Sequence, residues 1–264
     1  MRLLLLFAAL SFAEPMPVGG ARREMGVVKA SRGERVVIPA GSFRRGGKAP
    51  DEGAESTQAV PAFTLDRHEV TVTEFEAFVA AGAYQKPALW SSEGQVWLRD
   101  HPAGAGAVVR AADRGPDHPV VAVSWYEADA YCRARGGALP TEAQWERACH
   151  LNGERYPWGN EENFVASWYG GGKGGQLAAV LTTSALESDA SVLSAEGVMH
   201  LSGNVWEWTA DHYGPYDQDS RSSPWRTLRG GSYTNLASYC TCSHREPAMP
   251  EETRLTVGFR CVGP

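Results

Sequence analysis

Hydrophobic spacing along this chain predicts short elements separated by long irregular connections. Val36-Val37-Ile38 predicts a short strand that runs into a turn at Pro39-Ala40-Gly41. Residues 44–58 carry glycines, Pro50 and several acids without a period, and read as a loop. Phe63 to Val72 alternates apolar and polar residues, which predicts a second strand. Thr73 opens an amphipathic helix with Phe75, Phe78 and Val79 at helical spacing and Gly82 as its stop. Residues 90–114 read as an irregular excursion with a small hairpin around Val96-Trp97-Leu98. Ser124-Trp125-Tyr126-Glu127 is a capping box, in which hydroxyl and carboxylate each satisfy a free backbone amide. It starts the best-marked helix, with Ala128, Tyr131 and Cys132 on one face and Gly136-Gly137 at its end. Thr141-Glu142-Ala143-Gln144 repeats the device for a helix carrying Trp145, Ala148 and Cys149. Almost nothing is periodic from Tyr156 to Ser202. Then Gly203-Asn204 marks a turn into Val205-Trp206-Glu207-Trp208-Thr209. An extended backbone there puts both indoles on one face and Glu207 on the other, as a solvated acid or a ligand for a hard cation.

Composition narrows the class. The 264 residues, 43% hydrophobic and 21% charged, describe an ordinary globular chain with room for a proper core. Counts of 29 glycines, 16 prolines and 9 tryptophans favour a loop-rich α+β domain pinned by aromatics over a helical bundle. A net charge of −6 without a basic block argues against a nucleic-acid partner. Arg2, the apolar run Leu3 to Leu10 and Ser11-Phe12-Ala13 read as an export signal over residues 1–13, with residues 14–34 as a loose leader. That run is too short to span a bilayer in the mature chain. Export places five cysteines in an oxidising compartment and leaves one unpaired within a chain. The glycine-rich stretch 170–175 lacks the strand and the Ser or Thr of a phosphate cradle and reads as a surface loop. His200, His212, His244, Cys240 and Cys242 offer metal-ligand types without metal-ligand spacing. Asp211-His212 and Ser232 lack the strand–turn–helix elbow of a hydrolase.

Gly203-Asn204-Val205-Trp206-Glu207-Trp208 resembles the signature of the formylglycine-generating enzyme (sulfatase-modifying factor) family. Other motifs follow in that family's order: Val37 to Phe43, His68-Glu69-Val70-Thr71, His118 to Trp125, Leu139 to Glu146, Tyr156-Pro157-Trp158-Gly159, Leu228 to Tyr233 and Gly258-Phe259-Arg260-Cys261. The resemblance makes residues 35–264 one sulfatase-modifying-factor-like domain and implies an α+β, C-type-lectin-like fold with much irregular structure. It implies two bridges, Cys132–Cys261 and Cys149–Cys242, and leaves Cys240 as the odd thiol, expected to be accessible. Members that oxidise a sulfatase cysteine hold Cu(I) between two thiolates shortly after the Gly-Gly-Ser motif. Counting forward from Gly230-Gly231-Ser232, those positions fall on Asn235 and Cys240. Counting back from Gly258-Phe259-Arg260-Cys261, Cys242 takes the structural position and Cys240 matches no catalytic residue. At most one catalytic thiol remains in either register.

The resemblance also implies a Ca²⁺ site from the Gly203 and Val205 carbonyls and the Glu207 carboxylate. His200 stands where the family carries an Asn or Asp oxygen, and Ser167 stands where a second calcium site of the family uses an Asn, so that second site is not expected here. Glu69 and Ser232 match pocket positions of active members, with Trp206 and Asn235 lining the same cleft. The expected function is an exported domain degenerate for copper-dependent oxidation, acting as a binding or accessory module for a protein or peptide partner. The alternative is an oxidase of altered design using Cys240, with Cys242 as its partner thiol.

Overall fold

A computed structural model describes residues 33–104, 115–162 and 193–263. The expected export signal, nearly all of the leader, the glycine-rich stretch 170–175 and Ser167 lie outside the described residues.

Among the described residues, three small sheets and four α-helices form one α+β unit. Strands β1 (Arg35–Ile38), β4 (Phe63–Asp66) and β9 (Val262–Gly263) make an antiparallel sheet in the order β1-β4-β9. Strands β2 (Gly41–Arg45) and β3 (Ser56–Val60) pair as a separate antiparallel hairpin. The third sheet runs β7-β6-β5-β8, built from β5 (Trp206–His212), β6 (Arg226–Arg229), β7 (Arg245–Ala248) and β8 (Val257–Gly258). Its β5–β8 pairing is parallel and the others are antiparallel.

Each of these four α-helices begins at a side-chain cap. Helix α1 (Val72–Ala80) starts from a Thr71–Glu74 capping box, one residue earlier than its spacing indicates. Helix α2 (Ser92–Asp100) replaces the hairpin expected around Val96-Trp97-Leu98. Ser91 caps it, and Trp97 and Leu98 face the core while Val96 is exposed, so three consecutive apolar residues concealed a helical stripe. Helices α3 (Trp125–Ala134) and α4 (Glu142–Cys149) start from the Ser124–Glu127 and Thr141–Gln144 boxes.

Two other expectations are corrected. The strand expected over 63–72 stops at Asp66, whose carboxylate takes Arg35, Arg135 and the Cys261 amide. Beyond it the chain leaves β1: the Val70 amide donates to the Phe259 carbonyl, and the Val120 amide donates to that of Val70. Residues 44–58 hold the hairpin β2–β3, hidden in the sequence because its strands are largely exposed and carry little alternation.

One core layer packs α1 and α3 under the third sheet through Phe75, Tyr131, Phe259, Trp206 and Trp208. A second packs α4 under the first sheet through Ile38, Leu65, Trp145 and Cys149. The bridges Cys132–Cys261 and Cys149–Cys242 both form, joining α3 to the β8–β9 segment and α4 to the approach to β7.

Candidate functional site

The turn before β5 is where the expected pocket residues meet. His200 and Asn204 take left-handed backbone (φ 59° and 61°), as does Gly203 (φ 86°). Such a backbone is unfavourable for a side chain bearing a Cβ, Asn tolerating it best, and surrounding contacts must hold it. Here the Gly203 amide donates to the Gly230 carbonyl (2.8 Å) and the Tyr233 amide to the Asn204 carbonyl (2.9 Å). Ser202 Oγ donates to the Cys240 carbonyl (2.8 Å), and Asn204 Nδ2 donates to Glu69 Oε1 (2.8 Å). One tight turn thereby fixes Glu69 on one side and the 230–240 loop on the other.

Glu69 is fully buried, and its Oε2 accepts no hydrogen bond although Arg260 Nη2 lies 3.7 Å away. Burial pushes its carboxyl up to about 8, against the pull of Arg260 and with the push of Glu207. It is therefore a proton-holding group near neutral pH.

Asn235 is the residue of the 230–240 loop that the forward count from Gly230-Gly231-Ser232 sets against a copper thiol. Its Oδ1 accepts from both Ser232 Oγ (2.5 Å) and the Ser232 amide (3.0 Å), so Ser232 is locked by this side-chain amide. Cys240 is the one free cysteine, and its Sγ sits 4.0 Å from the Ser232 carbonyl. Contrary to expectation it is not accessible: it is buried, and burial pushes its thiol up to about 12. Gly231 (φ 72°) makes the enclosure possible, since a Cβ there would collide with Cys240 Sγ. Cys242 is bridged to Cys149 and cannot serve as partner to Cys240, which corrects the pairing in the altered-oxidase alternative. Trp206 is buried, its ring 5.6 Å from that of His244.

Glu207 differs most from expectation. It is not solvated but fully buried, with Arg260 Nε on Oε2 and Nη2 on Oε1 at 2.7 Å each. Trp145 Nε1 donates a further bond to Oε2 (2.9 Å). The face opposite the two indoles is thus an ion-pair core, in which three of the roughly four acceptor positions of the Glu207 carboxylate are taken. Next to it, burial and the charges of Arg260 and His68 pull His200 down to about 3, holding the ring neutral. Its Nε2 is sealed without a hydrogen bond. A neutral imidazole in place of a carboxylate oxygen suits calcium poorly. The donor set does not fit Cu(I) either, since one buried protonated thiol cannot supply two thiolates.

No group of three or more His, Cys, Asp and Glu among the described residues is arranged to hold a metal. Nor do Asp211, His212 and Ser232 form a hydrolase triad. Asp211 accepts from the Glu142 amide, His212 Nδ1 meets the Ser223 carbonyl, and Ser232 is held by Asn235.

Sequence reasoning missed a second buried ionic cluster. Glu142 accepts from Arg245 and Arg229, and Glu146 from Arg229 Nη2 and the Gly46 amide, all four side chains being buried. The available signal was the pair Glu142 and Glu146, one helical turn apart beside the core residue Trp145. The buried cations that answer them stand in β6 and β7, far along the chain.

Comparison with known proteins agrees with this framework. Residues 22–263 match the sulfatase-modifying factor enzyme 1-like domain. A formylglycine-generating enzyme from Thermomonospora curvata is 32% identical, over 86% of this chain and 92% of its own. An inactive C-alpha-formylglycine-generating enzyme 2 from Bos taurus is also 32% identical, over 86% of this chain and 87% of its own. Identity alone therefore does not separate active from inactive relatives. Among solved structures, PvdO from Pseudomonas aeruginosa superposes with a TM-score of 0.64 at 20% identity, covering 92% of this chain and 99% of its own, which supports the fold alone. The chain belongs to the sulfatase-modifying factor enzyme 1-like family.

Proposed function

We propose that this is an exported formylglycine-generating-enzyme-like domain that does not carry out two-thiol copper oxidation and instead acts as a binding or accessory module for a protein or peptide. The observation that carries this reading is the occupancy of the thiol positions. Asn235 holds Ser232, Cys242 is spent in a bridge, and Cys240 is a buried thiol pushed up to about 12. A nucleophile or ligand must be a thiolate, and Cys240 stays protonated and enclosed at working pH. Two intact bridges support export, because disulfides persist in oxidising compartments. The framework that would present a peptide, from Glu69 through Asn204 to the 230–240 loop, is hydrogen-bonded into one piece.

The test is incubation of the folded protein with a Cys-x-Pro-x-Arg sulfatase peptide, copper and oxygen, followed by mass spectrometry. An unchanged peptide mass is expected. Conversion of the cysteine CH₂SH to CHO, in an amount that scales with enzyme, would refute the proposal.

A further inference from the structure

The buried guanidinium of Arg260 has the surroundings of a coordinated cation. Its side chain carries five N–H donors. Nε and Nη2 go to the two Glu207 oxygens, and Nη2 also to the Met199 carbonyl (2.9 Å). Nη1 goes to the Asp66 and Arg67 carbonyls (3.2 and 3.1 Å). Five oxygens from three separate stretches of chain thus converge on one fully buried positive charge. These are the end of β4 with the residue after it, the approach to the Gly203-Asn204 turn, and β5. A hard metal ion asks for the same kind of shell, a carboxylate with several backbone carbonyls.

We infer that Arg260 is the built-in cation of this site, so that the domain holds the turn before β5 without calcium. A calcium ion held by Glu207 would have to share a carboxylate that already accepts three hydrogen bonds from Arg260 and Trp145, and would sit beside a guanidinium that cannot lose its proton. At separations of a few ångströms in a buried site, the repulsion between two such cations is strong. His200 adds to the mismatch, because its sealed Nε2 supplies no oxygen.

The experiment compares the full-length chain, dialysed against EGTA, with the same protein in millimolar calcium chloride. The melting temperature is expected to be unchanged, and crystals grown in calcium are expected to give no anomalous scattering peak within bonding distance of Glu207. A peak at Glu207 accompanied by a raised melting temperature overturns the assignment, whereas a peak elsewhere leaves the cage to Arg260. His200→Asp returns an oxygen to the position that lacks one, and calcium is still expected to leave its melting temperature unmoved. A calcium-dependent rise in that variant would put the mismatch at His200 and refute the role given to Arg260. Arg260→Ala opens the cage. If this variant folds, methylguanidinium at millimolar concentration is expected to recover its melting temperature more than calcium does, and the reverse order contradicts the proposal. If it does not fold, the chelation comparison and His200→Asp decide.

Discussion

Cys240 offers a quantitative prediction about reactivity. In the folded chain the thiol is buried and pushed up to about 12. At about pH 8 a thiol with that value is ionised in about one molecule in ten thousand, whereas an ordinary cysteine near 8.5 is ionised in about one in four. Alkylation requires the thiolate, so the electrostatic effect alone slows reaction with iodoacetamide by about 10³-fold relative to the unfolded chain. Burial against Gly231 and Ser232 adds to this, because the reagent must reach the sulfur. The assay is timed alkylation without reductant, native and in guanidinium chloride, with the modified residue identified by mass spectrometry. One thiol per chain is expected to label in denaturant and essentially none in the native state, while the four bridged cysteines stay unlabelled in both. Rapid native labelling at Cys240, at a rate close to the unfolded one, would show a reactive thiolate and refute the inert-thiol reading.

Three further outcomes follow from buried groups. Glu69 keeps its proton in the folded state up to about 8 while an unfolded glutamate gives it up near 4.5, so the native state binds more protons between those values. Stability should be greatest below the lower value and fall as pH rises through the upper one, and Glu69→Gln should flatten that decline in melts recorded across pH 5–8. Arg229→Met strips the buried Glu146 and Glu142 of a partner and should cost about 3–5 kcal/mol in denaturant unfolding, with Glu146→Gln in the same chain restoring part of it. Replacing both Cys132 and Cys261 by serine releases a loop closed across 129 residues. On the chain-entropy view the loss is about 5 kcal/mol, read as a lowered midpoint in guanidinium titration.

What was legible in the sequence was local. The Ser124–Glu127 and Thr141–Gln144 boxes state their helices within four residues, and the structure forms both. The α+β class and family followed from ordered motifs around Trp206 and Trp208, and both bridges followed from that resemblance. Misread features depended on partners distant along the chain. Glu207 looked solvated because its cation, Arg260, lies 53 residues away. Cys240 looked accessible because its flanking residues do not reveal that Gly231 packs against its sulfur. The β2–β3 hairpin was invisible because its outward face is polar and its inner face buries little beyond Phe43 and Val60. Helix α2 was obscured by Val96, an exposed apolar residue beside two buried ones.

Titration of the fully folded chain with Cu(I), buffered by a competing chelator and monitored by X-ray absorption at the copper edge, tests most directly whether oxidase chemistry has been lost. With Cys242 held in its bridge and Cys240 protonated and enclosed, no stoichiometric tight binding is expected. One copper per chain held by two sulfurs in linear geometry would contradict the proposed function and establish a working thiolate pair.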